Sequence, residues 1–563
     1  MKNIRDKLAG VVYPSAEALS FDAARGIEIE ETLTGALKSS FVRNGTRTAL
    51  VGVDGSLTYS ELDEQTDQLA AGLVKLGLQP LDRAIFQMAN GAALIKCLVA
   101  CWKCGVIPIC TLPSHRQAEI GYLANHAKAK AYFVQAGDPK FDQVQFALGM
   151  QAEIPSIERV IVAGKSAAEG VIFMEKLIHA EGGPKAREVV DAICTRLDPR
   201  QPVVFQLSGG TTGVPKIIPR FQSEYLYNIR SVSSWGGRNS DEVLFCAGPM
   251  IHNAGVVCHW GPTLLNGGAV VTDNDLSVSG LANILQTYQP TWMFLPRPLL
   301  SRVKEALKTI NFDKSRVKGV VTASNSKTVR EELGLPGIHI FGMAEGLVMT
   351  TRAGDSIAAL DETVGMPVSP YDEVLIVTPG TSEPVPFGDV GEMICKGPYT
   401  VRGYYDAPDR DKAAFTDEGF YRSGDLMSQR RIDGKDYYVF EGRLKDVINR
   451  AGEKVSCDEV ERALRGYPNM IDVALVAMPD EDYIEKGCAF VVMERDHHAP
   501  SVKEFGEYLK YKGLAKYKWP ERVEQIESLP TTSSAKISKP LLREMIAAKL
   551  RSEKLAHQDA AAN

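Results

Sequence analysis

Val203-Val204-Phe205-Gln206-Leu207-Ser208-Gly209-Gly210-Thr211-Thr212-Gly213-Val214-Pro215-Lys216-Ile217-Ile218-Pro219-Arg220 decides how the rest of the chain is read. The apolar run 203–207 and the pair Ile217-Ile218 read as two strands flanking a loop. Glycine permits positive φ and lets backbone approach a ligand closely. Successive N–H groups in such a loop form a concave nest for an anion. The hydroxyls of Ser208, Thr211 and Thr212, with Lys216, add donors and charge suited to a polyphosphate. A plain hairpin tip has the same composition. A Walker loop is excluded, because it needs Ser or Thr after the lysine and then a helix. Here Ile217 follows Lys216, and both flanks read as β.

A chain of 563 residues implies more than one domain. With 44% hydrophobic and 24% charged residues it has a globular composition. A net charge of −6 argues against a general nucleic-acid binder. No apolar run reaches membrane-span length, and no apolar segment follows the basic N-terminus, so a cytoplasmic chain without a membrane partner is expected. Cys101-Trp-Lys-Cys104 has the spacing of a redox or zinc pair. Cys97, Cys101 and Cys104 nevertheless share one helical face with apolar neighbours, and no second pair has zinc spacing, so core packing is expected.

From residue 49, strands (49–53, 84–88) alternate with helices (from Thr58, and 92–102), which predicts parallel sheets covered by helices. Residues 1–40 receive no function. The C-terminal part reads as small and α+β, with helices at 459–465 and 502–509 and strands at 473–477 and 489–492. Basic residues outnumber acids after position 500, which suits either an acidic partner or a solvated face. The polar tail after Arg551 is expected to be disordered.

Other stretches add to the phosphate-loop candidate. A strand runs into a loop at Gly248-Pro-Met-Ile-His252-Asn253-Ala254, although His and Asn also serve in ordinary turns. His339-Ile-Phe341-Gly342-Met343-Ala344-Glu345-Gly346, Phe420-Tyr-Arg-Ser-Gly-Asp425, Glu441-Gly-Arg443-Leu-Lys445-Asp446 and Ala535-Lys536-Ile-Ser-Lys539 follow in order. Together these resemble the adenylate-forming superfamily of acyl-CoA synthetases, peptide-synthetase adenylation domains and luciferase. The likeness covers about residues 45 to 550 and is greatest to stand-alone aryl-acid AMP ligases of siderophore pathways, which act on 2,3-dihydroxybenzoate or salicylate.

That resemblance implies an α/β fold: a large N-terminal domain of helix-covered, mostly parallel sheets over 1–441, and a small mobile α+β lid over 442–563, hinged near Lys445. It assigns ATP binding to Ser208, Gly209, Gly210, Thr211, Thr212, Gly213 and Lys216, to Phe341 as adenine stacker with Gly342, Met343 and Ala344, and to Asp425, Arg443 and Lys445. A carboxylate opposite a triphosphate requires a cation, so Glu345 is the expected Mg²⁺ partner, with Thr212. His252, Asn253, Ala254, Cys258, Thr322, Ala323 and Ser324 are implied at the acid, with Asn253 reaching its ortho substituent. Lys536 is implied to bridge the acid and the α-phosphate, with His252 and Glu345 as the other catalytic residues. The chain departs from the relatives at Ala254, where an aromatic is usual, at Cys258-His259-Trp260, and at Ala451 and Ala535, which replace glycines. Ala254 leaves volume for a larger acid unless Trp260 fills it.

The implied reaction is activation of an ortho-hydroxy or ortho-aza aryl acid to aryl-AMP with release of pyrophosphate. Transfer to a carrier-protein pantetheine thiol follows. A CoA ligase, a non-catalytic binding paralogue and a luciferase-like enzyme stay open as alternatives at this point.

Overall fold

The computed structural model describes residues 4–25, 27, 30–208, 215–323, 326–450, 453–480, 483–532 and 536–562, with the backbone alone at 21, 22, 449, 453, 454 and 555–562. The expectations placed on Gly209, Gly210, Thr211, Thr212, Gly213, Ser324, Ala451 and Ala535 lie outside the described residues.

The expected strand–helix alternation builds two large sheets. In the first, Arg159–Ala163, Ala131–Gln135, Arg83–Gln87, Ile107–Cys110 and Pro202–Leu207 are parallel neighbours in that order. Ile217–Phe221 closes it antiparallel, as the return arm of the 203–220 hairpin. In the second, Gly337–Gly342, Gly319–Thr322, Trp292–Phe294, Val243–Cys246, Ala269–Val271 and Thr48–Gly52 run parallel side by side. These strands read as unbroken apolar runs because helices cover both faces of a parallel sheet. The antiparallel strands Glu373–Val377, Gly391–Lys396, Tyr421–Ile432 and Lys435–Arg443 form a third sheet. A fourth, C-terminal sheet centres on the pair Met470–Asp480 and Ile484–Met493. The turn Leu444–Asp446 joins the third sheet to the fourth. Arg543 Nη2 donates to Lys445 O over 3.1 Å and pairs with Asp446, so the last helix braces that turn.

Local chemistry accounts for the elements that frame the site. The helix Tyr59–Lys75 begins at a reciprocal cap: Glu61 N donates to Thr58 Oγ (3.2 Å), and Thr58 N donates to the Glu61 carboxylate (2.8 Å). Cys97, Cys101 and Cys104 are buried on and just after the helix Ala92–Lys103, and burial raises their thiol pKa values. Among the described residues no cluster of metal-ligating groups forms, nor is any helix long and apolar enough to cross a membrane. The tail departs from expectation: the last helix runs Lys539–Ala562. Arg522 pairs with Glu553 at 2.6 Å and Lys549 with Glu524 at 2.6 Å, which ties the helix down, and its alanines favour helix beyond the ties.

Lys103 is only 1% exposed and ends the Ala92–Lys103 helix inside the protein. Its ammonium donates to Asp63 Oδ1 (2.6 Å), Asp67 Oδ1 (2.6 Å) and Thr66 Oγ (2.8 Å), while Arg187 reaches both carboxylates from outside. Removing one partner of such a group leaves buried charge uncompensated. Lys103→Met is therefore expected to cost about 3–5 kcal/mol. A denaturant titration should show the first unfolding transition moving to lower concentration, and an unmoved transition would contradict the assignment.

Candidate active site

The hairpin formed by Pro202–Leu207 and Ile217–Phe221 is tied across the base of its loop. Ser208 N donates to Lys216 O over 3.1 Å, and Lys216 N donates to Ser208 Oγ over 3.3 Å. The Lys216 ammonium donates to Tyr404 OH at 3.0 Å and lies 4.3 Å from that ring's centroid. Burial lowers its pKa. Tyr404 OH donates in turn to Glu345 Oε1 at 2.9 Å and lies 3.1 Å from Tyr421 OH. The lysine at the end of the phosphate-loop candidate and the carboxylate expected to face the phosphates thus share one phenol.

Glu345 is 6% exposed and sits in a tight turn, where Gly346 N donates to Met343 O and Met343 N to Leu347 O, each over 3.1 Å. Gly346 adopts φ +146°, and a Cβ there would meet Tyr399 O at 2.6 Å and Thr400 Cα at 2.7 Å. Phe341 lies one residue before the end of the strand Gly337–Gly342, its ring 5.8 Å from that of Phe440.

Asp425 and Arg443 are register partners across the third sheet. Arg443 Nε lies 3.2 Å from Asp425 Oδ1 as an ion pair without the direction of a hydrogen bond, which leaves that oxygen without a hydrogen-bond partner among the described residues. Burial pushes the Asp425 carboxyl up to about 6, against the pull of Arg443. Lys536 approaches from the C-terminal sheet on a loop closed by Thr532 N→Lys536 O (2.6 Å). It is open to solvent yet walled by protein, which lowers its ammonium pKa, with Arg443 acting in the same direction. The Lys536 charge acts to lower the pKa values of both Asp425 and His252. Lys539 points elsewhere: its Nζ is 3.0 Å from Glu461 and 3.8 Å from Asp458, inside the C-terminal domain.

The residues expected at the acid follow two strands of the second sheet, Val243–Cys246 and Gly319–Thr322. His252 is pushed down to about 4 by burial and by the Lys536 charge, so it is neutral near pH 7. Asn253 is buried, and its Oδ1 accepts from Arg220 Nη1 at 3.3 Å. Ala254 leads directly into a π-helical segment, Gly255–Trp260, a feature frequent at functional sites. Trp260 stacks on Trp102 at 5.7 Å and donates to Met250 O at 2.8 Å, so its ring belongs to the core. Thr322 ends its strand with a buried hydroxyl that has no hydrogen-bond partner among the described residues, and Ala323 follows, its carbonyl 2.6 Å from His339 Nε2.

Three residues here escaped the sequence reading. Arg220 is 0% exposed and donates to Ala344 O (2.7 Å) and Tyr399 O (3.1 Å) as well as Asn253. The available signal was an arginine inside an otherwise apolar strand. Nothing local in the sequence around Tyr404 or Tyr421 marks the hydrogen-bonded group they form with Glu345.

Residues 37–405 match the family described as AMP-binding enzyme, and residues 459–536 match the AMP-binding enzyme C-terminal domain. The chain is 36% identical over 531 residues to the 2,3-dihydroxybenzoate-AMP ligase of Bacillus subtilis (strain 168), covering 92% of this chain and 94% of the relative. It is 33% identical over 551 residues to the salicyl-AMP ligase / salicyl-S-ArCP synthetase of Mycobacterium tuberculosis (strain ATCC 25618 / H37Rv), covering 94% and 93%. Among solved structures it is similar to Mycobacterium smegmatis MbtA in its apo form, with a TM-score of 0.71 at 31% identity over 95% of this chain and 99% of that one.

The Gly346 turn yields a stability test. Gly346→Ala forces a Cβ into the backbone at 399–400 at an unfavourable φ, which is expected to cost about 1–3 kcal/mol. Thermal unfolding measures it, and an unchanged midpoint would contradict the packing described.

Proposed function

The chain belongs to the AMP-binding enzyme family, and from that premise we propose that it activates an ortho-hydroxy or ortho-aza aryl acid with ATP and hands the aryl group to the pantetheine thiol of a carrier protein. The observation that supports this most is the hydrogen-bonded chain Lys216–Tyr404–Glu345, which joins the lysine of the hairpin loop to a buried carboxylate; the Lys536 charge acts on Asp425 and His252. A carboxylate is a poor acyl donor because its leaving group would be oxide. Attack of its oxygen on the α-phosphorus breaks the bond to pyrophosphate and leaves aryl-AMP. Two anions must meet for this, so the site has to neutralise charge where it develops.

Lys536 is the group suited to bridge the acid's carboxylate and the α-phosphate. Lys216 and the 208–216 loop are suited to the outer phosphates, and ATP binding would exchange the Lys216–Tyr404 contact for phosphate oxygens. Glu345 is buried, with one oxygen held by Tyr404, a donor that fits Mg²⁺ taking one carboxylate plus substrate phosphates. Mg²⁺ bound there would neutralise phosphate charge. Asp425 would accept from the ribose hydroxyls, with Arg443 beside it, and Phe341 would stack on adenine. Neutral His252 would lie by the carboxylate without adding a second positive charge. Because Arg220 donates to Asn253 Oδ1, the Asn253 amide is oriented with its N–H groups free for an acceptor on the acid. That acceptor is the ortho oxygen or ring nitrogen.

In the second half-reaction the carrier thiolate attacks the acyl carbon, a thioester forms and AMP leaves. The residues needed there differ, and a swing of the C-terminal domain at Lys445 would exchange them. One relative is named a salicyl-S-ArCP synthetase and another a salicylyl-CoA synthase, and thioester formation with a carrier protein measured against free CoA decides between the two thiols.

ATP–pyrophosphate exchange tests the proposal. Salicylate, 2,3-dihydroxybenzoate or ortho-aza acids should drive exchange, and unsubstituted benzoate should be poor. Absence of exchange with every aryl acid would overturn it. Lys536→Ala should lower exchange about 10²–10³-fold, the scale of one preorganised donor, and should affect thioester formation from supplied aryl-AMP much less. If Lys539→Ala abolished exchange and Lys536→Ala did not, the two lysines would be wrongly assigned.

A pH dependence follows from Asp425. Its folded pKa of about 6 lies above its ordinary 3.8, so the native apoenzyme holds this proton more tightly than the unfolded chain. The stability this contributes is present at acid pH and lost as pH rises through about 6. Ribose binding needs the ionised form, so the KM for ATP should climb below pH 6, by about tenfold per unit at the limit. A KM unchanged from pH 7.5 to 5 would contradict Asp425 as the ribose acceptor.

A further inference from the structure

A cavity of about 260 Å³ lies between the helix Gln222–Trp235, the π-helical segment Gly255–Trp260 and the face of the second sheet. Trp235, Trp292, Val321, Ile340 and Val348 give it apolar walls. Its exposed wall residues, Lys318, Arg352 and Ala353, are grouped, while Cys258, Trp292, Val321 and Val348 are buried, so the cavity opens on the side of the first group. Lys318 stands just before the strand Gly319–Thr322. Arg352 follows Val348–Thr350, the antiparallel neighbour of Gly337–Gly342. The mouth is therefore at the edge where these parallel strands begin. Thr322 and Ala323, expected at the acid, stand where one of them ends, about 13 Å along the strand from Lys318. None of His252, Asn253, Ala254, Thr322 and Ala323 lines the cavity.

Three cations line it, and they are not equivalent. Arg238 is buried and committed: its guanidinium pairs with both oxygens of buried Glu242 and lies 4.4 Å from the Trp292 ring centroid. Lys318 and Arg352 have no ion-pair partner among the described residues. No Asp or Glu lines the cavity, and Asp355, near Arg352 in the chain, accepts from its backbone N at 2.8 Å. The Arg352 guanidinium lies 3.6 Å from the Trp235 ring centroid. Stacking of that kind holds its plane and leaves its N–H edge to an acceptor. An apolar chamber with uncommitted positive charge at its mouth is complementary to a molecule apolar at one end and anionic at the other.

We infer that this cavity is a second ligand site, separate from those for ATP and the aryl acid, and that it takes an amphiphilic monocarboxylate. The apolar body lies between Trp235, Trp292 and the sheet, and the carboxylate meets Lys318 and Arg352 at the mouth. Arginine presents paired N–H donors that match a carboxylate. An apolar cavity of about 150 Å³ holds benzene, so by the same measure this one holds a body of about ten carbons. The ligand is bound and not activated, because no residue assigned to ATP lines the cavity.

The experiment titrates decanoate into the full chain, followed by calorimetry and by tryptophan fluorescence, since Trp235 and Trp292 form the wall. The wild type should bind one decanoate per chain, saturably and below its micelle concentration. Decan-1-ol should bind about tenfold more weakly or worse, the scale of a charge-assisted hydrogen bond. Replacing Lys318→Gln together with Arg352→Gln changes two exposed side chains, which spares the fold. The double variant should raise the Kd for decanoate about tenfold or more, leave that for decan-1-ol in place, and leave ATP–pyrophosphate exchange unchanged. Absence of saturable binding, equal affinity for the acid and the alcohol, or wild-type affinity in the double variant would each overturn the inference. Competitive inhibition by decanoate against the aryl acid would place it in the acid site and overturn the inference too. Absence of exchange with every aryl acid would bring down the earlier reading alone, and the binding data would still decide this one.

Discussion

A guanidinium sealed from solvent fixes the geometry of this molecule. Arg220 is 0% exposed, and burial lowers its pKa. Its hydrogen bonds run to neutral oxygens on separate segments: Ala344 O beside Glu345, Tyr399 O, and the side-chain oxygens of Asn253 and Asn228. A buried charge is tolerable only while such partners stay in place. The return strand of the 203–220 hairpin, the turn that carries Glu345, the segment before Tyr404 and the loop at Asn253 are thereby held to one another. Displacing any one of them leaves the charge undersolvated.

The chemistry of the cleft depends on that frame. Tyr404 can hold Glu345 and Lys216 together because Arg220 pins the backbone on both sides, at Ala344 and Tyr399. Gly346 is needed where the turn and the 399–400 backbone approach most closely. In the proposed mechanism the C-terminal part supplies Lys536, while Lys539 is committed to Glu461 and Asp458.

Much of this was legible in the sequence because it rests on local patterns. The hairpin around 208–216, the capping box at Thr58 and Glu61, the alternation that builds parallel sheets and the apolar burial of Cys97, Cys101 and Cys104 all follow from neighbours in the chain. Asp425 and Arg443 were each expected at the ribose but not as partners of one another; their cross-strand pairing depends on the fold. What sequence could not supply was long-range. Arg220 finds Tyr399 across 179 positions, and Lys216 finds Tyr404 across 188. Trp260 offered two readings until its stacking partner, Trp102, was known. The cavity against the second sheet has no signature in sequence at all, because unfilled space is a property of the packed state. The tail after Arg551 was misread because its polar composition hid the salt bridges that anchor the helix at Glu553 and Lys549.

The central claim is that the acid's own oxygen attacks the α-phosphorus. Oxygen-18 in the carboxylate of an accepted aryl acid tests this directly, with the products separated after one full turnover to a thiol. The account predicts one labelled oxygen in the phosphate of AMP and none in pyrophosphate. Label in pyrophosphate or orthophosphate, with AMP unlabelled, would contradict it.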